Sequence, residues 1–108
     1  MRWIILSCIV VAILAEKSPV FAQSADGDPA SGRQLATTVC SSCHRVLPMT
    51  LSDRSDPPSF QSIADLPSAT GSSLNVFLHS NHRNMPNFRV SSAQVNDLIA
   101  YILSLKKQ

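Results

Sequence analysis

The sequence predicts an all-α fold of three to four helices, the first and last crossing, and three observations predict it. Val95, Leu98, Ile99, Ile102 and Leu103 recur at the spacing of one helix face near the end of the chain. No stretch alternates apolar and polar residues as a half-buried strand does. Asp28-Pro29 reads as an N-cap with proline at the first helical position, opening a helix through Gly32, Leu35, Ala36 and Val39 that delivers Cys40-Ser41-Ser42-Cys43-His44.

That pentapeptide organises the rest. On the last turns of a helix, Cys40, Cys43 and His44 lie three and four residues apart, so two thiols and one imidazole project from one face. A C-x-x-C-H run is the attachment signature of a c-type haem: the thiols form thioethers to the porphyrin edge and the imidazole gives its nitrogen to iron. A thioredoxin-like C-x-x-C needs a preceding buried strand, which Leu35 to Val39 does not offer. A structural zinc site needs a second, distant Cys/His pair, and no cysteine follows Cys43.

The 108 residues hold one domain, shortened at the start. Met1-Arg2 supplies a positive end, Trp3 to Ala15 is apolar apart from Ser7 and Cys8, and Val20-Phe21-Ala22 offers a cleavage site. Residues 1–22 are therefore read as a secretory signal peptide, with an uncleaved anchor as the alternative. Residues 23–30 are read as a flexible mature N-terminus and 31–108 as the domain. Leu6-Ser7-Cys8 loosely resembles a lipoprotein box, but the apolar run continues past Cys8 instead of closing there.

Cleavage after Ala22 would remove Cys8, leaving Cys40 and Cys43, both used by haem. Nine Lys and Arg against seven Asp and Glu become seven against six, a charge of +1, and no concentrated basic face argues for nucleic acid. Phe60, Phe77, Phe88 and Tyr101 would be the remaining aromatics. So small a domain is marginal without a further source of apolar bulk, and a porphyrin supplies one.

After His44, the segment 45–58 carries Pro48, Pro57 and Pro58 and is predicted to be a loop on the proximal side of the ring. His44 needs its second nitrogen tied to an acceptor; the Pro58 carbonyl is the first choice and Pro48 the second. Ser59 to Leu66 reads as a short helix with Phe60, Ile63 and Ala64 on one side, stopped by Pro67. Ser68 to Gly71 reads as a turn. A third helix near Ser73 to His79 places Leu74, Phe77 and Leu78 on one face.

Met85-Pro86 follows. Proline pushes the residue before it out of the helical region, so Met85 is expected in a non-helical loop that holds its thioether out as a distal ligand. The other candidates are Met49, still leaving the proximal face, His79, on a helix surface, and His82. Ser91-Ser92-Ala93-Gln94 is a capping box opening the last helix, and Lys106-Lys107 close it favourably for the helix dipole. Gly32 lets Leu98 and Tyr101 pack against the first helix.

Together these residues resemble a class I cytochrome c of the small single-domain bacterial kind. The resemblance spans Gly32, eight residues before the first Cys, the haem run, Pro57-Pro58-Ser59-Phe60, Met85-Pro86-Asn87-Phe88, and the terminal helix with Leu98 and Tyr101. It implies a cytochrome c fold wrapped around one covalently bound haem c. Cys40 and Cys43 are then the thioether residues, His44 and Met85 the axial iron ligands, and Pro58 the carbonyl that orients His44. Where the family often has an aromatic four residues before its first Cys, this chain has Ala36.

With both axial positions filled, the expected function is single-electron transfer in the periplasm between respiratory or dehydrogenase partners, without catalysis, as a monomer. Membrane contact comes only through partners or an uncleaved signal. Electrons are expected to pass through the ring edge near Cys43, and Arg45, Arg83 and Arg89 are either a basic rim for an acidic partner or ordinary solvated and propionate-paired arginines. Two other classes are separable by experiment: a dedicated haem subunit of an oxidoreductase complex would co-purify at high salt, and a ligand-sensing haem protein with an open distal site would bind carbon monoxide when reduced.

Overall fold

A helix begins wherever this chain places a side chain able to satisfy the first free N–H groups. The computed structural model describes residues 27–51, 53–80 and 85–108. Asp28 caps α1 (Pro29–Leu35), its carboxylate accepting from the N–H groups of Ala30 and Ser31 at 3.1 and 3.0 Å. The Ser31 hydroxyl, then these backbone bonds, holds the Asp28 carboxyl below its ordinary range. Ser59 caps α2 (Phe60–Ala64), and Thr70 caps α3 (Gly71–His79). Ser91 and Gln94 form the reciprocal box at the start of α4 (Ser92–Ser104), with bonds of 3.2 and 2.9 Å.

The expected first helix, which does deliver Cys40, is not α-helical throughout. Its last five residues, Ala36–Cys40, form a π-helical turn, closed by the Ser41 N–H on Ala36 O at 3.0 Å. Two consecutive threonines accompany the widening. The hydroxyls of Thr37 and Thr38 donate to the carbonyls of Arg33 and Gln34 at 2.8 Å each, drawing on acceptors that the α-helical ladder would use.

α4 is the element on which the others pack. α1, α2 and α3 all contact it, α1 most extensively, and its buried residues Val95, Leu98, Ile99, Tyr101 and Ile102 meet Ala36, Val46, Phe60, Ala64 and Leu74 in one core. At the α1/α4 crossing, a Cβ on Gly32 would overlap the Asp97 carbonyl and lie 2.8 Å from Tyr101 Cβ. Only a hydrogen fits there. The Asp28 N–H also donates to Asp97 Oδ1 at 2.6 Å, and Gly27, at φ +56°, sits against the Asn96 backbone.

Two boundaries move. Residues 27–30 belong to the packed domain, so the expected flexible terminus 23–30 overlaps the start of α1; residues 23–26, like the expected signal peptide 1–22, lie outside the described residues. α3 begins at Gly71, the last residue of the expected turn, instead of near Ser73, because Thr70 and Ser73 form a capping box with serine in place of the usual glutamate or glutamine. On α3, Leu74 is buried and Leu78 half-buried, but Phe77 is 55% exposed. α3 is in packing contact with α4, and Phe77 falls outside the stripe that meets it.

Two polar anchors tie the loops to this frame. Tyr101 donates its hydroxyl to Val46 O at 2.6 Å, both groups buried, and burial pushes the phenol above its ordinary range so that it stays a donor. Tyr101→Phe would leave the Val46 carbonyl without that partner. The expected loss is about 1–3 kcal/mol of unfolding free energy with little change in helix content, measured by denaturant titration followed by circular dichroism. Gln61, only 2% exposed, donates Nε2 to Leu105 O at 2.6 Å and accepts the Met49 N–H at 3.3 Å, fastening α2 to the end of α4 and to the loop.

Candidate functional site

The end of the π-helical turn, the loop after it and the segment before α4 border one cavity of about 480 Å³. Its walls include Val39, Cys40, Cys43 and His44 from the first helix and its exit, Asp56, Pro57 and Pro58 from the loop, Ile63 from α2, and Met85, Pro86 and Phe88. The expected site residues Cys40, Cys43, His44, Pro58 and Met85 all meet here. Asp56 joins Pro57 through a cis peptide bond.

The turn through the pentapeptide is fixed by its own backbone. The N–H groups of Cys43 and His44 both donate to Cys40 O, at 3.1 and 2.8 Å, continuing the helical direction for one more turn. Cys40 and Cys43 are free thiols, the first half-buried and the second exposed. Burial raises the pKa of the Cys40 thiol.

His44 is held on two sides. Nδ1 lies 2.7 Å from Pro58 O. A carbonyl can only accept, so Nδ1 carries a proton, and in the neutral imidazole this leaves Nε2 as the nitrogen with the lone pair a metal ligand requires. The Phe60 ring packs against the imidazole with centroids 5.6 Å apart and planes tilted by 55°, and Tyr101 packs behind Phe60 at 6.4 Å. The ring is braced through Phe60 to α4.

Met85 is half-buried in a non-helical segment on the cavity wall. The competing candidates are placed differently. Met49 does not line the cavity, and its N–H is engaged by Gln61. His79, the exposed last residue of α3, has Nδ1 2.8 Å from Asn75 O and borders a smaller hollow that Met85 shares. His82 and Arg83 lie outside the described residues. Arg45 is ion-paired with Asp53 at 2.6 Å, and Arg89 is exposed.

Residues 29–106 match the family Cytochrome c. The chain belongs to the cytochrome c family. This cytochrome is 35% identical over 99 residues to cytochrome c-552 of Bradyrhizobium diazoefficiens, a match covering 92% of the chain and 91% of that protein. No solved structure matches it significantly. It is a small class I cytochrome c, an electron carrier that binds haem c covalently.

The residues present fit that group. About 480 Å³ lies within the range of roughly 300–1,000 Å³ typical of cofactor pockets. Two free thiols, a correctly tautomerised imidazole and a thioether border the same space. Among the described residues, no group of three or more His, Cys, Asp and Glu side chains forms a metal cluster.

Asp53 was invisible as a site residue in the sequence. Ser62 Oγ lies 2.9 Å from Asp53 O and 3.1 Å from its Oδ1, and Arg45 reaches Oδ2. Partial burial pushes the Asp53 carboxyl up, but neighbouring hydroxyls and the Arg45 charge outweigh it and hold the carboxyl below its ordinary range. Arg45 and Ser62 lie eight and nine residues away from it, beyond any local pattern.

Proposed function

We propose that Cys40 and Cys43 carry the haem as thioethers and that His44 and Met85 fill the two axial positions of its iron. On this reading the cytochrome is an exported, periplasmic single-electron carrier without catalysis of its own, working between respiratory or dehydrogenase partners. Among the described residues no helix is long and apolar enough to cross a membrane. The observation that carries the reading is the His44 Nδ1 to Pro58 O contact in a cavity that both thiols and Met85 also border.

Bound haem supplies a one-electron Fe(III)/Fe(II) couple. The chain's residues determine how it is used. His44, with its proton committed to Pro58, offers Nε2 as a donor, and Met85 offers a thioether, which favours the reduced state relative to a second imidazole. With both positions occupied, no site remains for substrate or oxygen. Cys43, exposed beside the cavity mouth, marks the edge through which electrons pass. Arg45 is already paired with Asp53, so a basic docking rim would have to rest on other residues.

The test is a visible spectrum of both oxidation states on protein purified from its native host, together with an intact mass. A sulfur-to-iron band and the added mass of one haem are expected. Met85→Ala should abolish the band and lower the reduction potential by a sizeable part of the ~0.8 V range that axial ligands command. Survival of the band would assign the sulfur elsewhere and end the Met85 reading.

A further inference from the structure

The contact between His44 and Pro58 is bracketed by connections that neither residue makes itself. The carbonyl of Arg45, next after His44, accepts the N–H of Phe60, two residues past Pro58, at 2.9 Å. The Arg45 guanidinium donates to Asp53 Oδ2 at 2.6 Å. Asp53 receives Ser62 Oγ through its carbonyl and its carboxylate, and the Ser62 N–H donates to Ser59 Oγ at 3.1 Å. Asp53 thus joins the residue after His44 to the helix that starts just after Pro58.

The arrangement is not explained by stability. The Arg45 side chain is 65% exposed, and ion pairs with so open a partner add little to folding. The segment it closes contains Pro48, Pro57 and Pro58 and, among its described residues, no helix or strand, so no ladder of regular structure there holds the Pro58 carbonyl in place. A carbonyl meant to accept from an imidazole must be fixed to a few tenths of an ångström, because hydrogen bonds weaken steeply with distance and angle.

We propose that Asp53, held between Arg45 and Ser62, is a positioning residue that fixes the Pro58 carbonyl against His44 Nδ1–H and thereby sets how strongly His44 donates to iron. The proposal rests on the reading of His44 as the proximal ligand. A well-aligned acceptor on Nδ1 raises the basicity of Nε2. A stronger nitrogen donor stabilises Fe(III), so slackening the strap weakens the donor and raises the reduction potential.

The experiment uses the haem-loaded full chain and compares Asp53→Ala, Arg45→Gln and Ser62→Ala. Two quantities are read: the reduction potential, and the solvent-exchange rate of His44 Nδ1–H by NMR in the reduced, diamagnetic form. All three variants should raise the potential and speed exchange roughly tenfold, the weight of about one hydrogen bond. Arg45→Gln decides between causes. Loss of its positive charge alone would lower the potential, whereas loss of the strap raises it. Opposite shifts for Asp53→Ala and Arg45→Gln with Ser62→Ala unchanged, or unaltered exchange in all three, would overturn the proposal. Should Asp53→Ala fail to fold, Arg45→Gln and the uncharged Ser62→Ala carry the same decision. Failure of the underlying reading is distinguishable, because His44→Gly would then leave the low-spin spectrum of the parent intact.

Discussion

Replacing Cys40 and Cys43 together by alanine is expected to give a chain that neither retains haem through denaturation nor folds on its own. The reason is the hydrophobic effect. Without the macrocycle, the apolar side chains around a cavity of about 480 Å³ face water instead of apolar surface. The core facing the cavity is small, ten buried residues of which two are alanine. Without covalent attachment the macrocycle would be held only by ligation and contact. Intact mass after denaturation, helix content by circular dichroism and hydrodynamic radius should show bare polypeptide in an expanded state. A colourless double variant with native helix content and radius would show that the cavity is carried without help.

Gly32→Ala should be nearly as damaging, although alanine is the better helix former by about 1 kcal/mol. The added methyl would overlap the Asp97 carbonyl, a backbone group that cannot rotate away, and press on Tyr101 Cβ at 2.8 Å. Relief requires α1 and α4 to separate along their crossing, loosening the Asp28 to Asp97 bond and moving Tyr101 from Val46 and Phe60. Overpacking of a site without slack costs about 3 kcal/mol or more, so a drop of that size in unfolding free energy is expected by denaturant titration. Alanine at Gln34, an exposed neighbour on α1, is the control for propensity, expected to shift stability by far less. Equal effects of the two would mean that the helices can part at little cost.

How much of this was legible follows from how local each signal is. Asp28-Pro29 and Ser91 to Gln94 announce their helix starts because a cap and its partners lie within three residues. The five-residue haem run is likewise local. Gly32 opposite Tyr101 could be read because helical periodicity carries it across two elements. Thr70 reads as part of a turn because Ser73 replaces the usual partner of a capping box. Gln61 and Asp53 were not legible. Gln61 finds its partners at Met49 and Leu105, twelve and forty-four residues away, and nothing around a lone glutamine says so. The tie between His44 and Pro58 lies between these cases: chemistry demanded an acceptor, but only the folded loop shows which of two prolines His44 meets.

The π-helical turn at Ala36–Cys40 separates two demands made on one short rod. Gly32 must address α4 while Cys40 addresses the cavity, and a uniform winding would lock those two directions together. The wider turn works as a phase shifter, setting the second half back by about one residue relative to the first. Excising one threonine there would therefore leave a continuous helix whose two ends keep their separate aims, whereas rewinding the turn as α-helix with every residue kept would swing Cys40 round by about one residue. In this protein the dialling of the thiols is set by a residue count, not by either thiol's own surroundings.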